Sequence, residues 1–385
     1  MRRRRKMNEQ LNLSAAKPLQ IIIAGGGTGG HIFPAVAIAR ALQKKSPDIN
    51  FLFVGAKGKM EMEKIPEEGF EIKGINIAGY NRSALLKNWS LPFKLLQSYF
   101  EVKKIFNQFQ PDAVIGVGGY SSFPVLREAQ SRDIPSFIHE SNSFAGKSNI
   151  LLGKNATKIF VASKGMERFF PKEKIILTGN PIRQIFSENI SKEIALNFFG
   201  LTIGQPVVLV IGGSLGAQSI NETIKDNLSL FDKNKWQLIW QTGKNFSGQA
   251  AAEEVERKNI WTNAFINKME MAYAASDVVI ARSGAMTVAE LSAVKKPSIL
   301  VPYPHAAEDH QTANAKLLVE IGSAILVPDN KVKDELIPAL VKLVNDKKKI
   351  EEMTSNLNRS TPIIADDYIA EEILNYLNDE KLINN

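Results

Sequence analysis

Gln20-Ile21-Ile22-Ile23-Ala24-Gly25-Gly26-Gly27-Thr28-Gly29-Gly30-His31 decides the fold. Four apolar residues make a strand-sized run, glycines follow without a break, and Pro34, Ala35, Ile38, Ala39 and Leu42 then recur at helical spacing. This is a buried strand, a tight loop and a helix, with Pro34 near the helix start. Nearly 190 residues later the pattern returns: a strand at Pro206–Ile211, then Gly212-Gly213-Ser214-Leu215-Gly216-Ala217, then a helix from about Gln218.

Around the first unit, strands are expected at Asn50–Gly55, Ala113–Val117, Ser136–His139, Lys158–Ala162 and Ile175–Thr178. Around the second they are expected at Gln237–Gln241, Val278–Ala281, Ser298–Val301 and Ala324–Val327. Strands alternating with helices predict doubly wound parallel sheets, and the restart predicts two Rossmann-like α/β domains joined near residue 183. At 385 residues the chain exceeds what one core usually supports. In such sheets ligands bind beyond the carboxyl ends of the strands, so the two glycine loops are expected to face one cleft.

The glycine loop has the spacing of a dinucleotide fingerprint, but the second strand ends Val54-Gly55-Ala56-Lys57, without the acid that would hold a ribose diol. No Gly-Lys-Ser/Thr closes it as a nucleotide P-loop. What remains is backbone able to approach an anion at a helix N-terminus. Two further strand ends share its polar character: Gly116-Val117-Gly118-Gly119-Tyr120 and His139-Glu140-Ser141-Asn142. In the second half, Arg282-Ser283-Gly284-Ala285-Met286-Thr287-Val288-Ala289-Glu290 joins an apolar strand to a helix. Free amides there suit a diphosphate, and Glu290 in the second turn suits a ribose diol. His305–Gln311 precedes another helix at the same mouth.

Composition narrows the chemistry. The chain has no cysteine, which excludes disulfides and thiolate metal sites, and four scattered histidines argue against structural zinc. There is no Asp-x-Asp pair to hold a donor-bound divalent ion, so no metal or other cofactor is expected. No run approaches the roughly 18 apolar residues of a membrane span. The basic start Met1–Lys6 leads into polar residues, so a signal peptide is not expected and the cytoplasm is the default compartment. Of the net charge of +8, residues 2–6 supply five, leaving +3 for the rest. Residues 1–17 therefore read as a basic tail, and a nucleic-acid partner is not expected. Residues 80–106 set bulky apolar side chains (Leu85, Leu86, Trp89, Leu91, Phe93, Leu96, Phe100, Phe106) beside Arg82, Lys87, Lys94, Lys103 and Lys104, which fits attachment to an anionic membrane surface. Leu95, Tyr99 and Val102 are expected to face the core.

The ordered set Gly26–His31, Gly118–Tyr120, His139–Asn142, Gly179-Asn180-Pro181-Ile182-Arg183, Gly212–Ala217, Arg282–Thr287 with Glu290, and Gln311 resembles the MurG family of peptidoglycan glycosyltransferases. The resemblance runs from about Pro18 beyond Asn314. It implies the GT-B architecture, with residues 18–183 binding acceptor and membrane, residues 184–361 binding a UDP-sugar, and a C-terminal helix at about 362–385 returning to the first domain. It implies UDP-N-acetylglucosamine as donor and lipid I, the undecaprenyl-diphosphate-linked muramyl pentapeptide, as acceptor, at the cytoplasmic face of the plasma membrane.

By the same resemblance Thr28, Gly29 and Gly30 lie near the transferred sugar, and Asn142, Arg183, Ser214 and Gln311 are donor contacts. The backbone of Ile266 reads the uracil, and Ala285, Met286, Thr287, Val288, Ala289 and Glu290 form the diphosphate and ribose segment. Gly26, Gly27, Gly118, Gly119 and Tyr120 form the acceptor side. Membrane contact falls to Leu85, Leu86, Lys87, Trp89, Phe93 and Lys94. Ser141 and Leu215 stand where the family often has Gln. The acceptor hydroxyl must lose a proton in an inverting displacement, and His31 is the first candidate base, with Glu140 in reserve. The residues alone leave open another GT-B enzyme, such as a glycolipid glycosyltransferase or a UDP-sugar 2-epimerase. They also leave open a membrane or nucleic-acid adaptor that kept the fold.

Overall fold

The computed structural model describes residues 18–78, 91–182, 186, 190–213, 215–359 and 365–384. The first half holds a parallel sheet of seven strands: β1 (Gln20–Ala24), β2 (Asn50–Ala56), β3 (Ile72–Ile75), β4 (Ala113–Gly116), β5 (Ser136–Glu140), β6 (Lys158–Val161) and β7 (Ile175–Leu177). Their order is β3-β2-β1-β4-β5-β6-β7. The second half holds a parallel sheet of six: β8 (Val207–Ile211), β9 (Gln237–Gln241), β10 (Ile260–Asn263), β11 (Val278–Ala281), β12 (Ser298–Leu300) and β13 (Ala324–Leu326), in the order β10-β9-β8-β11-β12-β13. The architecture is GT-B.

The apolar runs become central strands because both faces of each sheet are covered. Side chains alternate along a strand, so Ile21 and Ile23 enter one core with the helix Gly29–Lys45, while Ile22 and Ala24 enter another with Val102 and Phe106. In β8, Val208 and Val210 go one way and Val207, Leu209 and Ile211 the other. Strands β3 and β10 were not legible in the sequence. Each is an edge strand and only partly buried, so Ile72-Lys73-Gly74-Ile75 and Ile260-Trp261-Thr262-Asn263 carry no continuous apolar signal.

The helix Ala365–Asn384 lies on the first half. Ile369, Ala370, Ile373 and Leu377 enter the core formed by Ile21, Ile23 and the helix Gly29–Lys45. At roughly 1.5–3 kcal/mol for each large apolar side chain buried, this contact outweighs the flanking ion pair between Lys158 and Glu372. In each sheet the order reverses at the first strand of its half, β1 or β8. The loops leaving β1 and β4, and those leaving β8 and β11, therefore part around a crevice.

Candidate functional site

The loop after β1 turns through Gly26 and Gly27, at φ 152° and 89°. It meets the loop after β4 backbone to backbone, since a Cβ on Gly119 would lie 2.5 Å from the Gly26 carbonyl oxygen. His31 sits half-buried between them. Its Nδ1 lies 3.1 Å from the Gly26 oxygen. A carbonyl only accepts, so Nδ1 carries the proton and Nε2 keeps a lone pair. On the other side Gly118 leaves room for the ring, because a Cβ there would stand 3.0 Å from Nε2. The Tyr120 ring flanks Gly27. Burial lowers the His31 pKa below its usual 6.5, opposed by the Glu140 charge, the Gly26 hydrogen bond and the Glu61 charge.

Glu61 was missed. It begins the helix Glu61–Glu67 just beyond β2, and its carboxylate is buried beneath the glycine loop. Oε2 accepts the Gly27 N–H at 2.9 Å and Oε1 the Ala56 N–H at 3.0 Å. The signal was present: an acid follows the second strand, but it turns inward to hold its own loop.

Glu140 is also a clamp. Its carboxylate accepts the Asn142 N–H, the Asn142 and Asn149 side-chain amides, and the Gly146 N–H, all within 3.2 Å. Four bonds fill its acceptor positions and fix the loop 141–146. Its neighbour His139 is fully buried, and burial pushes its pKa down to about 4. The unfolded chain binds this proton near pH 6.5 and the folded chain only near 4. Stability is thus complete above pH 6.5 and declines between those values, by roughly 3 kcal/mol from this group. Thermal melts from pH 7 to 4 should show less acid destabilisation in His139→Gln than in the parent.

In the second half, the loop after β8 is pinned at Gly216 as its counterpart is at Gly119: a Cβ on Gly216 would meet the Thr242 carbonyl oxygen at 2.2 Å. Gly284 caps the helix Ala285–Ala293. Met286, Thr287 and Glu290 face the cleft, whereas the Val288 side chain packs into the core, leaving only its backbone for a ligand. Ala289 is half-buried. The Ala285 carbonyl accepts the Asn180 amide, which also reaches the Ser141 carbonyl of the first half. The Tyr273 hydroxyl donates to Glu290 Oε2 at 2.9 Å, an orienting contact that sequence reading missed. The Ile266 N–H is taken by Gln241 Oε1 at 3.0 Å, while Gln241 Nε2 holds the Gly213 carbonyl. The Gln311 side-chain oxygen accepts the Tyr303 N–H.

Between the halves lies a cleft of about 1250 Å³. Thr28, Gly29, Gly30 and Phe33 line it from one side, and Gly212, Gly213, Ile266, Met286, Thr287, Glu290 and Gln311 from the other. Asn314 joins the halves, accepting from Ser143 and donating to the Ser283 carbonyl. Arg183, Ser214, Leu85, Leu86, Lys87 and Trp89 lie outside the described residues. Among the described residues no cluster of three or more His, Asp or Glu is placed to hold a metal ion.

The helix Leu91–Phe109 buries Ser98, Val102, Ile105 and Phe106 and exposes the opposite face. Phe93, Leu96 and Phe100 are 70%, 58% and 66% exposed, in line with exposed Lys103. Lys94 is half-buried. Two expectations are corrected here: Phe106 is core, on the face that Val102 and Ile105 bury, and Leu95, on that same face but near the N-terminal end of the helix, is 38% exposed. No described helix is long and apolar enough to cross a membrane.

Residues 21–161 match the glycosyltransferase family 28 N-terminal domain and residues 207–367 its C-terminal domain. A Phocaeicola vulgatus protein, named as a UDP-N-acetylglucosamine–N-acetylmuramyl-(pentapeptide) pyrophosphoryl-undecaprenol N-acetylglucosamine transferase, is 45% identical over 92% of this chain and 96% of its own. A Porphyromonas gingivalis protein of the same name is 44% identical over 98% of this chain and 100% of its own. The crystal structure of Acinetobacter baumannii MurG superposes with a TM-score of 0.72 at 27% identity, covering 93% of this chain and all of that one. With two glycine loops facing one cleft and relatives matched along nearly their whole length, the chain belongs to the MurG family of glycosyltransferase family 28.

Proposed function

We propose that this chain transfers N-acetylglucosamine from UDP-N-acetylglucosamine to the C4 hydroxyl of the N-acetylmuramyl sugar of lipid I. The observation that carries the reading is the cleft: the glycine loop beside His31 lines one wall, and a helix N-terminus followed by an oriented glutamate lines the other. The relatives' names supply the substrates. Residues 18–183, with the helix from about 362, form the acceptor domain, and residues 184–361 the donor domain.

His31 Nε2 takes the proton of the attacking hydroxyl. The muramyl O4–C1 bond forms as the bond from C1 to the phosphate oxygen breaks on the opposite face, and UDP leaves with the electron pair. Amides at Ala285–Thr287, Ser214 and the Arg183 guanidinium stabilise the departing diphosphate, so this reading requires no metal. Glu290 holds the ribose and Gln311 contacts the sugar. Asn142, held by Glu140, borders the donor. This gives Glu140 a positioning role and leaves the base to His31. The uracil meets the Ile266 backbone at its carbonyl, since Gln241 Oε1 already holds the N–H.

The helix Leu91–Phe109 rests Phe93, Leu96 and Phe100 in the cytoplasmic face of the plasma membrane beside Lys103 and Lys104, with no nucleic-acid partner. Serine at all three apolar positions should reduce co-sedimentation with anionic vesicles severalfold and leave uridine diphosphate affinity unchanged. The function itself is tested with labelled UDP-N-acetylglucosamine and a short-chain lipid I analogue. A lipid-linked disaccharide of inverted anomeric configuration supports it. Release of free sugar without acceptor would instead mark an epimerase-type reaction.

A further inference from the structure

Beneath the acceptor-side loop lies a carboxylate with no part in the reaction as written. Glu61 is buried, and two glycines make room for it: a Cβ on Gly26 would fall 2.2 Å from Oε1, and one on Gly55 would fall 2.5 Å from Cγ. Its oxygens hold the Gly27 and Ala56 N–H groups. The peptide unit that gives Gly27 its N–H also gives Gly26 its carbonyl, and that carbonyl accepts from His31 Nδ1. Carboxylate, peptide and imidazole thus form one chain of hydrogen bonds through a single rigid plane.

We propose that Glu61 is a positioning residue for the base: by gripping the Gly26–Gly27 peptide from below, it aims that carbonyl at His31 Nδ1 and keeps the Nε2 lone pair toward the acceptor hydroxyl. This rests on the assignment of His31 as base. It acts as a carboxylate acts on a catalytic histidine, with a peptide group interposed. The charged and titratable groups acting on His31 from neighbouring elements are Glu140, Glu61 and His139. Removing the Glu61 charge withdraws one support of the imidazolium, so the His31 pKa falls further.

The test is a double-mutant cycle on the full chain, with the short-chain lipid I analogue as acceptor. Glu61→Gln should lower kcat about tenfold to a hundredfold, leave the uridine diphosphate Kd within about twofold, and move the acidic limb of kcat to lower pH. In the His31→Ala background the same change should cost almost nothing more, because both act through one group. Losses that multiply, or a limb that stays in place, would overturn the proposal. A His31→Ala variant with parental turnover would instead sink the base assignment. If Glu61→Gln does not fold, nitrogen-15 resonances of the parent's histidines decide: an Nδ1–H tautomer at His31 supports the proposal and an Nε2–H tautomer overturns it.

Discussion

His31→Ala is expected to lower turnover by about a hundredfold or more, the usual contribution of a positioned base. Uridine diphosphate affinity should stay within about twofold, since His31 lies behind the acceptor-side loop and the donor groups line the opposite wall. The pH profile sharpens the expectation. Burial holds the His31 pKa below 6.5, so the ring is neutral at pH 7 and ready to accept a proton. Rate should fall only as pH drops through that depressed value, and the acidic limb should vanish with the imidazole. Steady-state kinetics from pH 5 to 8 and calorimetry with uridine diphosphate measure the two halves of the claim. Parental turnover in His31→Ala would remove it from the chemistry and return attention to the hydroxyl's other neighbours.

The central strands and both glycine loops were legible because burial on two faces forces continuous apolar runs, and a strand-to-helix turn of that tightness forces glycine. The edges were not. Ile72–Ile75 and Ile260–Asn263 each pair on one side only, so their sequences are free to mix polar and apolar residues. Motif reading also gathered residues the fold brings together from distant positions, such as Thr28 and Glu290 on opposite walls of one cleft. It did not find the partners that orient them. Glu61, Tyr273 and Gln241 each act by one or two hydrogen bonds, and a lone Glu, Tyr or Gln carries no periodic signature. It named Glu140 by type, as a reserve base, and did not find the four hydrogen bonds by which it holds the loop 141–146. Type is visible in a sequence; the number of donors around an oxygen is not.

Glu290→Ala is expected to weaken uridine diphosphate binding by roughly 3 kcal/mol, about 150-fold, the order expected for charge-assisted bonds to a ribose diol. The position supports this. Glu290 lies in the second turn of the helix that opens at Gly284, it lines the cleft, and the Tyr273 hydroxyl fixes one of its oxygens at 2.9 Å. Tyr273 is itself buried and meets Phe186 edge-on at 5.6 Å, so the orienting hydroxyl sits on a rigid mount. Tyr273→Phe should therefore weaken binding by only about 1 kcal/mol, through a less ordered carboxylate. A donor lacking the 2′-hydroxyl separates direct contact from general disturbance. The parent should bind it about tenfold more weakly than uridine diphosphate, while Glu290→Ala should bind the two alike. If the alanine variant still discriminated between them, the ribose would be held elsewhere, and the diphosphate would have to be placed differently along the helix Ala285–Ala293.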